Sequence, residues 1–437
     1  MQNLDQPVTP AEPGQASNRS ALLIVFLVVF IDLLGFGIIL PLLPRIAEGY
    51  VERLVPRASW QVGLVVGLLM SAFSLMQFLF APIWGRLSDR VGRRPILLLG
   101  LGGSVVFYAL FGWATSLDPL ESAALALALF FVARIGAGIA GATIATAQAV
   151  IADSTPPEKR KHGMALIGAA FGIGFTFGPL IGFGGLWLTG NYLPTIGYTA
   201  SALSAVALVL GMILLPETRV FSQDSTARRH LLDPSAIGHA LRDSAIAPVI
   251  LTFFTASLGF GAFEVTLALF LKDTFRFGEN NSFLVFAYIG FVLMLTQGVL
   301  YRRLASRVSE VTFIGMGIIF MGVGVALMGL IAKLVDAGHE PDAWLMTLLF
   351  AALSAAVIGF AFLTPSAQAL ISRRTSADRQ GEILGVNQSA SALARILGPM
   401  VGVPLYTATE SHLLPYIAGA VLLLLMLPLL PRIRRTG

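Results

Sequence analysis

The chain has no cysteine, which excludes disulfides, thiolate metal sites and thiol catalysis. Charge is scarce as well. Asp, Glu, Lys and Arg make up 12% of its 437 residues, against about 25% in soluble domains, so the surface cannot face water everywhere. Only five histidines occur, His162, His230, His239, His339 and His412. Each falls in an expected loop or at the end of an apolar run, which argues against a histidine proton relay inside a membrane. No lysine follows the Gly-x-x-x-x-Gly spacing of a phosphate loop, so ATP is not the direct energy source. Neither a Ser/His/Asp set nor a paired-carboxylate arrangement points to an enzyme.

What remains is overwhelmingly apolar: hydrophobic residues are 56% of the chain and the mean hydropathy is +0.81. Crossing the hydrocarbon core takes about 20 mostly apolar residues. About twelve such runs can be drawn, at 20–43, 60–84, 95–115, 121–150, 163–188, 193–215, 246–271, 283–301, 311–333, 343–371, 382–407 and 412–431. The formal charge of +5 does not point to nucleic acid, because the basic residues crowd into alternate short loops. Arg86, Arg90, Arg93, Arg94, Lys159, Arg160, Lys161, Arg219, Arg228, Arg229 and Arg242 fall on one side. Arg302, Arg303, Arg307, Arg373, Arg374, Arg379, Arg432, Arg434 and Arg435 join them, while the opposite loops hold only Arg45, Arg53, Arg57, Lys272, Arg276 and Lys333. This positive-inside pattern puts both termini in the cytoplasm and demands an even number of spans. Residues 1–19 read as a disordered cytoplasmic tail. With no short apolar region and small-residue cleavage site ahead of it, the first span is expected to be retained as its own insertion signal.

The chain also repeats itself. Ala145-Thr146-Ala147-Gln148-Ala149-Val150-Ile151 matches Pro365-Ser366-Ala367-Gln368-Ala369-Leu370-Ile371, and Gly178-Pro179-Leu180-Ile181-Gly182 matches Gly398-Pro399-Met400-Val401-Gly402, both at an offset of about 220 residues. Leu34-Gly35-Phe36-Gly37 echoes Leu258-Gly259-Phe260-Gly261 in nearly the same register. Parallel repeats of six spans are a known transporter plan. The expected organisation is therefore a bundle over 20–215, a cytoplasmic linker over 216–245, a second bundle over 246–431 and a basic tail over 432–437.

Four segments narrow this further: Gly85-Arg86-Leu87-Ser88-Asp89-Arg90-Val91-Gly92-Arg93-Arg94, Arg134–Gly141, Gly172–Gly185 and Pro216-Glu217-Thr218. On these residues the chain resembles the major facilitator superfamily, in its twelve-span drug–proton antiporter branch, and is similar to tetracycline-type efflux pumps. The resemblance is strongest from Ile31 to Thr218. It implies an all-α membrane protein, two six-helix bundles related by a pseudo-two-fold axis and rocking about a central site. It further implies proton-coupled export of a lipophilic, neutral-to-cationic compound from the inner (plasma) membrane. The proton gradient would supply the energy with no cofactor or metal, and the protein would act as a monomer among membrane lipids with no nucleic-acid partner. Two other readings stay open: a metabolite or sugar uniporter or importer, and a non-transporting receptor or lipid-handling scaffold. The chain departs from tetracycline pumps in having Val106-Phe107-Tyr108 where they carry an acid in the third span. It also has no acid within Val311–Ala332 and no histidine within the eighth span. Tetracycline itself is therefore not carried over.

Asp32 sits within the first span, where a carboxylate costs at least ~2.5 kcal/mol unless it faces a cavity or partner. Glu264 occupies the repeat-related seventh span, so both acids are candidates for proton coupling and for substrate contact across a central cavity. Phe36 and Phe260 lie beside them and suit cation–π contact with a cationic drug, and Gln148 and Gln368 occupy matched positions of the repeat as candidate substrate contacts. Arg134, an arginine inside the fourth span, must pair or reach water; the resemblance gives it a part in proton transfer. Gly85 and Gly92 are expected to permit a tight turn and close helix approach. By resemblance, Asp89 meets the start of the eleventh span and Arg93 pairs with Asp153, with Arg90 alongside, as a latch for the outward-open state. Gly174, Gly178, Pro179 and Gly182 are expected to form a tightly packed, bent antiporter helix that seals the cavity.

Overall fold

The computed structural model describes residues 26–27, 29–31, 33–55, 60–154, 160–218, 238, 242–375 and 380–435. Among them the secondary structure is helical, with no strand. Helix α1 runs over Val29–Ile39 and bends by 43° into Leu43–Val51. It is followed by α2 (Trp60–Val91), α3 (Arg93–Ala114), α4 (Ala123–Gly141, carried on by Ile144–Ser154), α5 (Arg160–Leu188) and α6 (Pro194–Leu214). The second half holds α7 (Ala247–Asp273), α8 (Glu279–Leu304), α9 (Glu310–Asp336), α10 (Ala343–Arg374), α11 (Gln380–Thr407) and α12 (Leu414–Arg434). Nine of these are long and apolar enough to cross a bilayer, ten with the bent α1 taken as one span. α5 contributes a shorter apolar stretch, Gly172–Leu188, and α11 carries Asn387, Gln388 and Arg395 within its length. Helices satisfy their own backbone groups, the condition for living in hydrocarbon. Side chains such as Val106, Trp187 and Ile213 stay more than half exposed on the outer faces, as lipid contact requires.

Packing repeats with the sequence. α3 lies against α4 and α6, and α9 lies correspondingly against α10 and α12. The halves meet where α2 packs on α11 and α8 packs on α5, two interfaces that a shift of six helices interconverts. The pseudo-two-fold axis passes between them.

Glycines bring the helices close at each crossing. A Cβ at Gly178 of α5 would stand 2.9 Å from Gly37 Cα of α1, and one at Gly37 would stand 2.9 Å from the Gly174 carbonyl oxygen. In the second half a Cβ at Gly398 of α11 would meet the Ala262 nitrogen of α7 at 2.9 Å. The repeated strings of the sequence are thus the two copies of one helix crossing. Between halves, a Cβ at Gly67 would lie 2.6 Å from the Pro399 carbonyl oxygen, and one at Gly290 would lie 2.5 Å from that of Phe175.

Because successive helices alternate in direction, the loops after α1, α3, α5, α7, α9 and α11 share one end, opposite the basic loops. At this first-loop end the halves are tied together. Arg45 of α1 pairs with Glu279 of α8 at 3.3 Å and donates to the Phe277 carbonyl at 2.6 Å. Glu48 pairs with Lys272 at 2.6 Å, and Asn280 donates to the Asn191 side chain at 2.9 Å. Every ion pair between described residues that crosses from one half to the other lies here.

Among the described residues, the ion pairs at the basic end join groups of one half. Gly92 adopts φ +113° between α2 and α3, a conformation that side chains resist. Glu217 then accepts from the Arg93 and Arg94 backbone N–H groups at 2.9 and 3.1 Å, capping the N-terminus of α3 where an anion is favoured. Pro216-Glu217-Thr218 therefore clasps the end of α6 to the start of α3. Glu217→Ala is expected to lower the melting temperature in detergent by removing about 1 kcal/mol of cap. An unchanged melting temperature would show that solvent replaces the carboxylate.

Candidate functional site

On α7 the residues Leu258, Gly259, Ala262 and Thr266 line a cleft against α9, α11 and α12. Helical geometry puts Phe260 and Glu264, one turn apart, on the opposite face of the helix, toward the inside of the bundle. Phe260 stacks on Phe360 of α10 with ring centroids 3.9 Å apart and nearly parallel planes, and meets Phe263 at 6.0 Å. Glu264 is half-buried.

Arg395 approaches it from α11. The outward face of that helix carries exposed Leu393 and Val401, and Gly398 is pressed against α7. Gln388 and Arg395, two turns apart, share the remaining inward stripe, and both are exposed. Arg395 and Glu264 attract one another electrostatically, but no ion pair within 4.0 Å joins them among the described residues.

In the first half Arg134 of α4 is 3% exposed. Its guanidinium stands 4.5 Å above the Phe73 ring of α2 and 5.7 Å from that of Phe36. Among the described residues Nε has no hydrogen-bond partner, and the aromatic faces stabilise the cation. Tyr108 is within electrostatic reach, and its ring fills the space beside Gly35. Phe36 also touches Phe73 and Phe175 at 5.0 and 5.9 Å. It forms part of an aromatic seat for Arg134 as well as of the inner wall.

The other expected site residues are distributed as follows. Asp32 and the side chain of Asp153 lie outside the described residues. Gln148 is half-buried on the extension of α4, and Gln368 is exposed on α10, two turns beyond Phe360. Between them Thr364 accepts from Gln297 at 3.4 Å. Asp89 pairs with Arg93 at 2.6 Å, and Arg93 also donates to buried Ser88 at 2.7 Å; Arg90 is exposed. The expectation for Gly85 is corrected: it lies within α2, where a Cβ would meet nothing within 4 Å among the described residues, and Gly92, with its positive φ, stands at the turn. The α5 motif packs both ways. Gly174 and Gly178 face α1, and Gly182 faces Phe283 of α8, with a Cβ there 2.6 Å from its ring. Pro179 sits inside α5.

Sequence reading missed Phe73 and Phe360, whose roles need the neighbouring helix to be known. It gave Arg395 no role and did not pair it with Glu264. The cross-half pairs of Arg45 and Glu48 carried no motif.

Comparison with known proteins agrees with this architecture. The family model described as Major Facilitator Superfamily matches residues 25–399 and 299–436. The chain is 30% identical over 460 residues to mouse Major facilitator superfamily domain-containing protein 10, covering 96% of this chain and 94% of that protein. It is 30% identical over 419 residues to the class C tetracycline resistance protein of Escherichia coli, covering 95% and 97%. The crystal structure of the human organic anion transporter MFSD10 (TETRAN) superposes with a TM-score of 0.63 at 28% identity, covering 97% of this chain and all of that one. With its twelve helices, repeated glycine crossings and charged inner face, the chain belongs to the Major Facilitator Superfamily, whose members are membrane transporters and not enzymes.

Proposed function

We propose that this transporter is a proton-coupled antiporter that exports lipophilic, drug-like compounds by alternating access. The observation that carries the reading is Glu264, a carboxyl on the inward face of α7, one turn from the Phe260–Phe360 stack and, among the described residues, in no direct ion pair. Such a group can hold a proton or the cationic end of a substrate, and one expels the other. Asp32, with or without Glu264, is assigned the same exchange, and Arg134 sets the charge balance of the first half. Similarity to tetracycline resistance proteins over nearly the whole chain supports the direction of export. The bundle would work as a monomer in the inner membrane with both termini in the cytoplasm, powered by the proton gradient without a cofactor. Closure at the first-loop end and the basic positive-inside loops then correspond to an inward-facing state.

Purified protein in liposomes with an internal pH dye tests this. A lipophilic cation should trigger proton movement in the wild type, and Glu264→Gln or Asp32→Asn should reduce that movement at least tenfold. Substrate movement with no proton movement would replace antiport by uniport.

A further inference from the structure

Arg395 is a second recognition element on the inner face, and nothing in the antiport scheme uses it. A guanidinium within a span is costly unless it has a partner or reaches water. Arg134 meets that demand with two aromatic faces. Arg395 instead is exposed on the inward stripe of α11, with Gln388 two turns before it, and Glu264 attracts it, with no direct ion pair between them among the described residues. Five N–H donors in a fixed fork are thereby presented to the interior, and a planar acid is the group they fit. Across the helix crossing, Gly261 of α7 lies next to the Arg395 backbone, so the guanidinium, Glu264 and the Phe260–Phe360 stack share one wall.

Taking this inner face as the transport site assigned above, we propose that Arg395 is the specificity-determining residue for an acidic group on the substrate. The substrates then include lipophilic carboxylates and amphoteric compounds. Their acid pairs with Arg395, their aromatic body rests on the phenylalanine stack, and a basic group, where present, faces Glu264. Glu264 is the intramolecular competitor for Arg395, which a substrate carboxylate displaces.

Binding of three matched probes to the full chain in nanodiscs tests this: pyrenebutyrate, its neutral amide and pyrenebutylammonium. The wild type should bind the carboxylate more tightly than the amide. Arg395→Gln should weaken carboxylate binding by about tenfold or more and tighten ammonium binding, with Arg395→Lys recovering part of the carboxylate preference. Glu264→Gln should act in the opposite sense, strengthening carboxylate and weakening ammonium binding. The proposal is overturned if the wild type does not prefer the carboxylate to the amide, or if Arg395→Gln weakens both equally. Should Arg395→Gln not fold, unchanged or weaker carboxylate binding by Glu264→Gln overturns it. No gradient is present, so a carboxylate preference that survives while proton flux is absent in the liposome assay would remove proton coupling and leave the role of Arg395 standing.

Discussion

Gly178→Leu is expected to abolish transport and to lower thermal stability sharply, whereas Gly172→Leu, two turns earlier on the same helix, should be tolerated. The first places a Cβ 2.9 Å from both the Cα and the carbonyl carbon of Gly37 and 3.1 Å from the Leu34 carbonyl oxygen. These are backbone atoms and cannot rotate away. α1 and α5 must separate, and overpacking of this kind costs about 1–3 kcal/mol for added methylenes alone. Opening the crossing would also breach the seal expected of the α5 motif. At Gly172 a Cβ meets nothing within 4 Å among the described residues. Melting curves in detergent together with transport in liposomes separate the two. Equal behaviour of the variants would show that the glycines serve composition and not close approach.

Lys272→Ala should open the first-loop end. Glu48 is 6% exposed and held by Lys272 at 2.6 Å, so the truncation leaves a carboxylate shut away without its cation. Breaking a buried pair in this way costs roughly 3–5 kcal/mol, and the lower figure applies where the lysine is one-third exposed. The penalty exists only while the halves are closed on Glu48. The equilibrium should therefore move toward the opposite conformation by about a hundredfold. The cysteine-free chain accepts spin labels at chosen pairs without background. Labels across the first-loop end should report longer distances in Lys272→Ala, and the exchange Glu48→Lys with Lys272→Glu should restore the short ones. Unchanged distances would assign closure to the Gly67 and Gly290 crossings.

The architecture was legible in the sequence because the bilayer imposes one-dimensional constraints. Span length, the depth of each charge and the alternation of basic loops are all properties of short segments. The repeats at Gly37 and Gly261 and at Gly178 and Gly398 were legible for a related reason. Close helix approach admits only the smallest residue, so packing leaves its mark on the residue type itself. Gly85 shows the limit of that inference, since a glycine next to a turn need not make it. Glu217 shows another: its role as the cap of α3 is invisible from its own neighbours, because the N–H groups it accepts belong to residues 123 and 124 positions away.

By itself the sequence determined that this is a two-fold repeated helical membrane protein with ionisable groups inside its spans. Only the tertiary structure decided which groups face one another: Glu264 and Arg395, Arg134 with Phe73 and Phe36, and Glu48 with Lys272. The physical reason is that membrane insertion is settled helix by helix through hydropathy. Pairing of charges and rings depends on rotation and register between helices, which the summed packing of distant segments sets.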